Sequence, residues 1–168
     1  MQTNSWSLAA VNGLLLALVT IILTLVQTVL EPGTAIKVLI WIAKLVGSLW
    51  LLYYFIKDYA KDSEVFTYKM GFNYGFKVCL LSSLVCAIYM FMHFAVIFPE
   101  AVQASLEQAA AMMQSSNPDA VDAINRISGK LPQIVTITVL VYYTLFGIVA
   151  SAIIANFTKK GDIFASQS

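Results

Sequence analysis

The chain has 168 residues, 60% of them hydrophobic and only 11% charged, where soluble domains carry roughly 25% charged residues. With a mean hydropathy of +0.80, that apolar excess cannot be hidden in a soluble fold of this size, which excludes a soluble enzyme, a secreted disulfide scaffold and a disordered or nucleic-acid-binding chain. Ten Lys and Arg against nine Asp and Glu leave +1 overall, so the placement of the charges carries more than their sum.

Crossing a hydrocarbon core of about 30 Å takes about 20 apolar helical residues, and four runs qualify: 6–30, 35–56, 72–98 and 134–157. The first has no charged residue and continues well beyond the length of a signal-peptide core. No basic segment precedes it and no small-x-small cleavage site follows, so it is expected to stay as a helix. Pro32-Gly33 then makes a tight turn into the second run, and the two should form an antiparallel hairpin. The second run contains Lys37 and Lys44, and the third contains Lys77 and His93. Cys79 and Cys86, two helical turns apart in the third run, read as small packing residues. No His or carboxylate stands near them at ligand spacing, so no metal or other cofactor is expected.

The 57–71 loop holds Lys57, Lys61 and Lys69 among Asp58, Asp62 and Glu64, the pattern of an ordinary interfacial turn. In the 99–132 segment, Val102, Leu106, Ala109, Ala110 and Met113 form an apolar stripe. Asn117 with Pro118 opens a second short helix bearing Val121, Ile124 and Ile127, stopped at Gly129. The expected result is an extracytoplasmic helical hairpin, either a connector or a docking or gating element. Lys57, Lys61, Lys69, Lys77, Lys159 and Lys160 fall on one side of the four runs, and Lys37, Arg126 and Lys130 on the other. Lysine and arginine favour the cytoplasmic side, so both termini, including the 158–168 tail, should lie inside. Trp6, Tyr53, Tyr54, Tyr59, Phe66, Tyr68, Phe72 and Phe157 would mark the inner interface, and Trp41, Phe94 and Phe98 the outer one.

Apolar burial does not draw helices together in lipid, so close packing of small residues must. Gly71, Gly75, Cys79, Ser83 and Ala87 recur every four residues in the third run, starting with a GxxxG. Ala9, Gly13 and Ala17, with Ser5, make a similar stripe in the first run. Gly147, Ser151 and Ala155 do so in the fourth, and Ala43 and Gly47 more weakly in the second. The first, third and fourth spans are expected to approach closely, with the third-span seam meeting either a neighbour in the chain or a second copy.

The sequence has no HExxH, GxSxG, Walker or dinucleotide loop, and His93 is the only histidine. A Ser/His/Asp set has no carboxylate within the runs to complete it, so no enzyme is expected. Two ionisable residues inside the runs remain, and burying each costs about 2.5–3.5 kcal/mol on insertion scales. Lys44 lies roughly 13 Å below the outer end of its run, level with Thr20, Tyr89, Tyr142 and Tyr143, without an acidic residue at its depth. Its long stem either carries the ammonium outward or leaves it to a lipid phosphate or a partner's carboxylate. Gln27, Lys44, Tyr89, His93 and Thr138 would line a polar pocket open to the outer side if the helix rotations allow.

The stretch Phe66-Thr67-Tyr68-Lys69-Met70-Gly71-Phe72-Asn73-Tyr74-Gly75, the Phe98-Pro99-Glu100 exit and the acidic segment before the fourth run resemble the bacterial four-helix inner-membrane family catalogued as domain of unknown function 4199. The resemblance runs from about Leu8 to Phe157 and implies a four-helix inner-membrane protein without assigned activity and without a catalytic residue to transfer. The resemblance further implies a tendency to be encoded near membrane glycosyltransferases, and hence a helper subunit of a glycosyltransferase or cell-envelope system. The sequence therefore reads as an all-α integral membrane protein, four transmembrane helices in an antiparallel bundle. Its expected role is that of a non-enzymatic accessory or scaffold, contacting membrane lipid and either a protein partner or further copies of itself, and no nucleic acid. The alternative is a small carrier or lipid flippase using Lys44 and His93.

Overall fold

The computed structural model describes residues 5–30, 32–61, 63–113, 126 and 128–160. Among these the chain is helical throughout: α1 Ser5–Leu30, α2 Thr34–Tyr59, α3 Tyr68–Met92, a π-helical turn His93–Ile97, α4 Pro99–Met113, a 3-10 turn Ser128–Lys130 and α5 Leu131–Thr158. Ser5–Leu30, Thr34–Tyr59, Tyr68–Ile97 and Ser128–Thr158 are each long and apolar enough to cross a membrane. The protein is thus all-helical with four membrane-spanning candidates. The second arm of the expected outer hairpin, from Asn117 to Ile127 apart from Arg126, falls outside the described residues, as do the side chains of Val102 and Ala109 in the stripe of α4.

Contacts divide the chain into two units, residues 1–86 with 142–168, and residues 87–141. In the first, α3 and α5 run antiparallel with small residues face to face at every turn. Positions 71 and 155, 75 and 151, 79 and 147, 83 and 144 meet in succession: a Cβ on Gly71 would lie 3.2 Å from the Ala155 Cβ, one on Gly75 would lie 2.8 Å from the Ser151 Oγ, and one on Gly147 would overlap the Cys79 Cβ. Ser83 and Thr144 share a 3.0 Å hydroxyl hydrogen bond that closes the series. On the other side α1 approaches α3 at Gly13, where a Cβ would lie 2.8 Å from the carbonyl oxygen of Val78. Backbones come this near only where a side chain is a hydrogen or a methyl, which is why these stripes hold glycine, alanine, serine and cysteine. Ala9 and Ala17 are fully buried on α1. Ala87, last of the α3 series, is buried but belongs to the second unit.

Polar residues fasten the same unit. The side-chain amide of Asn12 in α1 donates to the Tyr74 hydroxyl in α3 at 2.8 Å, and the Tyr74 ring stacks on Tyr59 of α2 at 4.0 Å. One residue thereby ties three helices. Replacing Tyr74 by Phe keeps the stack and leaves the buried Asn12 amide without that acceptor, which should cost about 1 kcal/mol, as interhelical hydrogen bonds in membrane proteins do. A lowered midpoint in an SDS unfolding titration checks this, with Asn12→Leu in the Tyr74→Phe background restoring part of the loss. At the start of α1, Lys77 donates to Ser5 at 3.0 Å with its ammonium 4.8 Å from the Trp6 ring centre. A charge inside the third apolar run is thus drawn to its end.

Two local features differ from the sequence expectation. Helix α3 begins at Tyr68 rather than near Phe72, because Thr67 caps it: its hydroxyl accepts from the Met70 N–H at 3.3 Å, and its carbonyl from the Gly71 N–H at 3.2 Å. Phe66, expected among the interfacial aromatics, is fully buried. It pairs with Lys160 through two backbone hydrogen bonds of 2.9 and 3.0 Å, while the Lys160 ammonium donates to the carbonyl of Ala60 at 3.1 Å. Lys160, two residues after α5, therefore pairs with the α2–α3 loop at the buried Phe66.

In the second unit, α4 starts at Pro99 with Glu100 in its first turn, a placement the helix dipole favours. Leu106 and Ala110 are half-buried, and Met113 is exposed.

Candidate functional site

Within the first unit a cavity of about 140 Å³ opens between the helices. Leu16, Leu45, Leu49, Leu52 and Phe146 form its apolar wall, Thr20, Ser48, Ser82, Ser83, Tyr142 and Tyr143 bring hydroxyl groups, and Trp41, Lys44, Cys79, Cys86 and Gly147 complete the lining. Gly147 and Cys79, where α3 and α5 come together, border it on one side.

Lys44 is half-buried at this cavity. Side chains on a helix lean toward its N-terminus, so the ammonium points back along α2, where it donates to Thr24 Oγ1 at 2.9 Å and Gln27 Oε1 at 3.3 Å. Both acceptors belong to α1, and both are uncharged. The same helix prepares them: Thr24 donates its hydroxyl hydrogen to the carbonyl of Thr20 at 2.7 Å, which leaves the oxygen lone pair for Lys44. The amine is thus hydrogen-bonded but not neutralised.

The five residues expected to line one polar pocket are divided between the two units. Lys44 and Gln27 meet, but Tyr89 and His93 pair with each other in the second unit, Tyr89 Oη lying 2.9 Å from His93 Nδ1. The buried His93 ring also packs edge-on against Phe94 and tilted against Phe98, with both centroids at 4.9 Å. It heads a π turn in which the Phe98 N–H donates to the His93 carbonyl at 2.8 Å. Thr138 is exposed.

Sequence reasoning placed Thr20, Tyr142 and Tyr143 at the depth of Lys44 but missed Thr24, its nearer acceptor. Thr20, Thr24, Gln27 and Thr28 recur at helical spacing on α1 among aliphatic residues, and that polar series was the available signal. Among the described residues no group of three or more His, Cys, Asp or Glu side chains stands close enough together to hold a metal ion.

A family model matches residues 8–160, the whole of both units apart from the ends. The chain belongs to the family described as protein of unknown function (DUF4199). The matched range takes in the α3–α5 seam, the Lys44 cavity and the Phe66–Lys160 pairing, so all three lie within the DUF4199 region. No curated protein and no solved structure matches the chain.

Proposed function

We propose that this DUF4199 protein is a non-enzymatic subunit of a larger assembly in the cytoplasmic membrane, an accessory or scaffold that docks through α2. One observation carries the reading. Of the five glycines within α-helices, Gly13, Gly71, Gly75 and Gly147 are each filled by a neighbouring helix, whereas a Cβ on Gly47 would meet nothing within 4 Å. Glycine costs about 1 kcal/mol relative to alanine inside a helix, and in lipid its use is to admit another helix. Ala43-x-x-x-Gly47 is such a small-residue pair, and it lies between exposed Leu39, Val46 and Trp50. The lysine distribution supports both ends lying in the cytoplasm, with Lys57, Lys61 and Lys69 between α2 and α3 on the same side.

The test uses the tagged full chain at native expression, extracted in mild detergent. It should run at a mass above one chain plus its micelle. Gly47→Ile, which has free space for its side chain, should return it to the single-chain mass without lowering its unfolding midpoint. Recovery of the unsubstituted protein as a single chain would sink the proposal, as would an assembly indifferent to Gly47→Ile and Ala43→Ile together.

A further inference from the structure

Lys44 and the cavity beside it support an inference independent of the docking face on α2. The ammonium has two neutral acceptors, Thr24 and Gln27, and none of the four apolar runs contains an Asp or Glu to balance it. A cation at this depth is costly unless an anion or water accompanies it. Next to it lies a cavity of about 140 Å³, close to the roughly 150 Å³ that takes one benzene-sized group. It is too small for a whole lipid but fits a compact head group with its first methylenes. The lining is mixed: Lys44 and the hydroxyl groups stand beside an apolar wall that includes Leu49, Leu52 and Phe146.

We propose that this cavity is a binding site for a single-tailed anionic amphiphile whose head carries one negative charge, a carboxylate or a phosphodiester, placed on Lys44 with the proximal chain against Leu49 and Phe146. One lysine balances one charge. A dianionic phosphomonoester would bring a second charge into the same apolar surroundings without a partner, so the monoanion is the fitting class. Among the described residues Lys44 pairs with no carboxylate, so the head displaces no such ion pair on entry. Trp41 also lines the cavity and is itself exposed, one turn along α2 from Lys44, so its ring lies beside the site.

Trp41 makes the proposal measurable, since the chain has three tryptophans and Trp6→Phe with Trp50→Phe leaves it as the single reporter. The probe is 9,10-dibromostearate added to the full-length protein in a neutral detergent. Saturable quenching of Trp41 is expected, reversed by oleate or by lysophosphatidylglycerol and not by oleyl alcohol. Reversal by oleate alone restricts the head to a carboxylate, and reversal by the lysophospholipid as well shows that the site also takes a phosphodiester. Lys44→Met should raise the half-saturating concentration at least about tenfold, the loss of a charge-assisted contact. Lys44→Arg, which keeps the charge, should retain most of the affinity, and an unchanged unfolding midpoint for Lys44→Met would separate lost binding from lost fold. Quenching that never saturates, that oleyl alcohol reverses equally, or that Lys44→Met leaves unchanged in a folded protein would overturn the site.

Discussion

Gly147→Leu is expected to lower the stability of the protein by about 3 kcal/mol, at the upper end of what overpacking costs. A Cβ on Gly147 would already overlap the Cys79 Cβ and approach its Sγ to 3.0 Å. The atoms it meets lie at the base of a short side chain, so no rotamer change relieves the overlap and the two helices must separate. Separation also stretches the Ser83–Thr144 hydrogen bond, 3.0 Å, one turn along. SDS titration followed by circular dichroism reads the effect as a large fall in midpoint. Gly147→Ala should already show part of it, and Cys79→Gly added to Gly147→Ala should recover most of that part, because the overlap is between those two side chains alone. An unchanged midpoint for Gly147→Leu would mean that α3 and α5 do not meet here.

Phe66→Ala should cost about 3–5 kcal/mol, the range for deleting a fully buried phenylalanine ring. The ring is fully enclosed, edge-on to Tyr59 at 6.0 Å, and so close to Gly71 that a Cβ there would lie 3.1 Å from it. Its loss opens a void under the α2–α3 loop and leaves the Lys160 pairing without the side chain it encloses. Phe157→Ala is the comparison, since that ring is 77% exposed and its removal should change stability by less than about 0.5 kcal/mol. Protease sensitivity after Lys159 or Lys160 should rise in Phe66→Ala and not in Phe157→Ala. Equal effects from the two substitutions would refute the enclosed position of Phe66.

The spans were legible because lipid imposes one requirement on the sequence, a charge-poor run of sufficient length, and each of the four runs meets it. The positions where helices touch were legible for a related reason: Gly71, Gly75, Cys79 and Ser83 are spaced at one turn, and only small residues let backbones meet. What each stripe touches was not legible. Pairing Gly147 with Cys79 depends on the relative height of two helices separated by a long intervening segment, and no local signal fixes it. The same holds for Phe66 and Lys160, which meet through backbone groups that any residue carries.

Asn12 and Thr67 are different, because each had a signal that went unread. A lone Asn in a charge-free span seeks a polar partner on another helix, and a Thr directly before a helical run is a capping residue. The Lys44 pocket shows where the limit lies. Its depth could be reckoned from the helical rise, and Thr20, Tyr142 and Tyr143 came out at the right level. The rotation of α1 against α2 that brings Gln27 to Lys44 had no such measure in the sequence, because no residue of an apolar run fixes it.

The central claim, that the chain crosses a membrane four times with both ends and the lysine-rich 57–71 loop inside, is tested most directly by side-specific labelling. Single cysteines would be placed by Gly33→Cys, Ser63→Cys, Lys130→Cys and Lys159→Cys, and probed in intact cells with a thiol reagent that cannot cross the membrane. Native Cys79 and Cys86 are buried, at 7% and 2% exposure, and add little background. Positions 33 and 130 should react in intact cells, and positions 63 and 159 only after the membrane is opened. Reaction of position 63 or 159 in intact cells, or any two consecutive positions on the same side, would contradict the account.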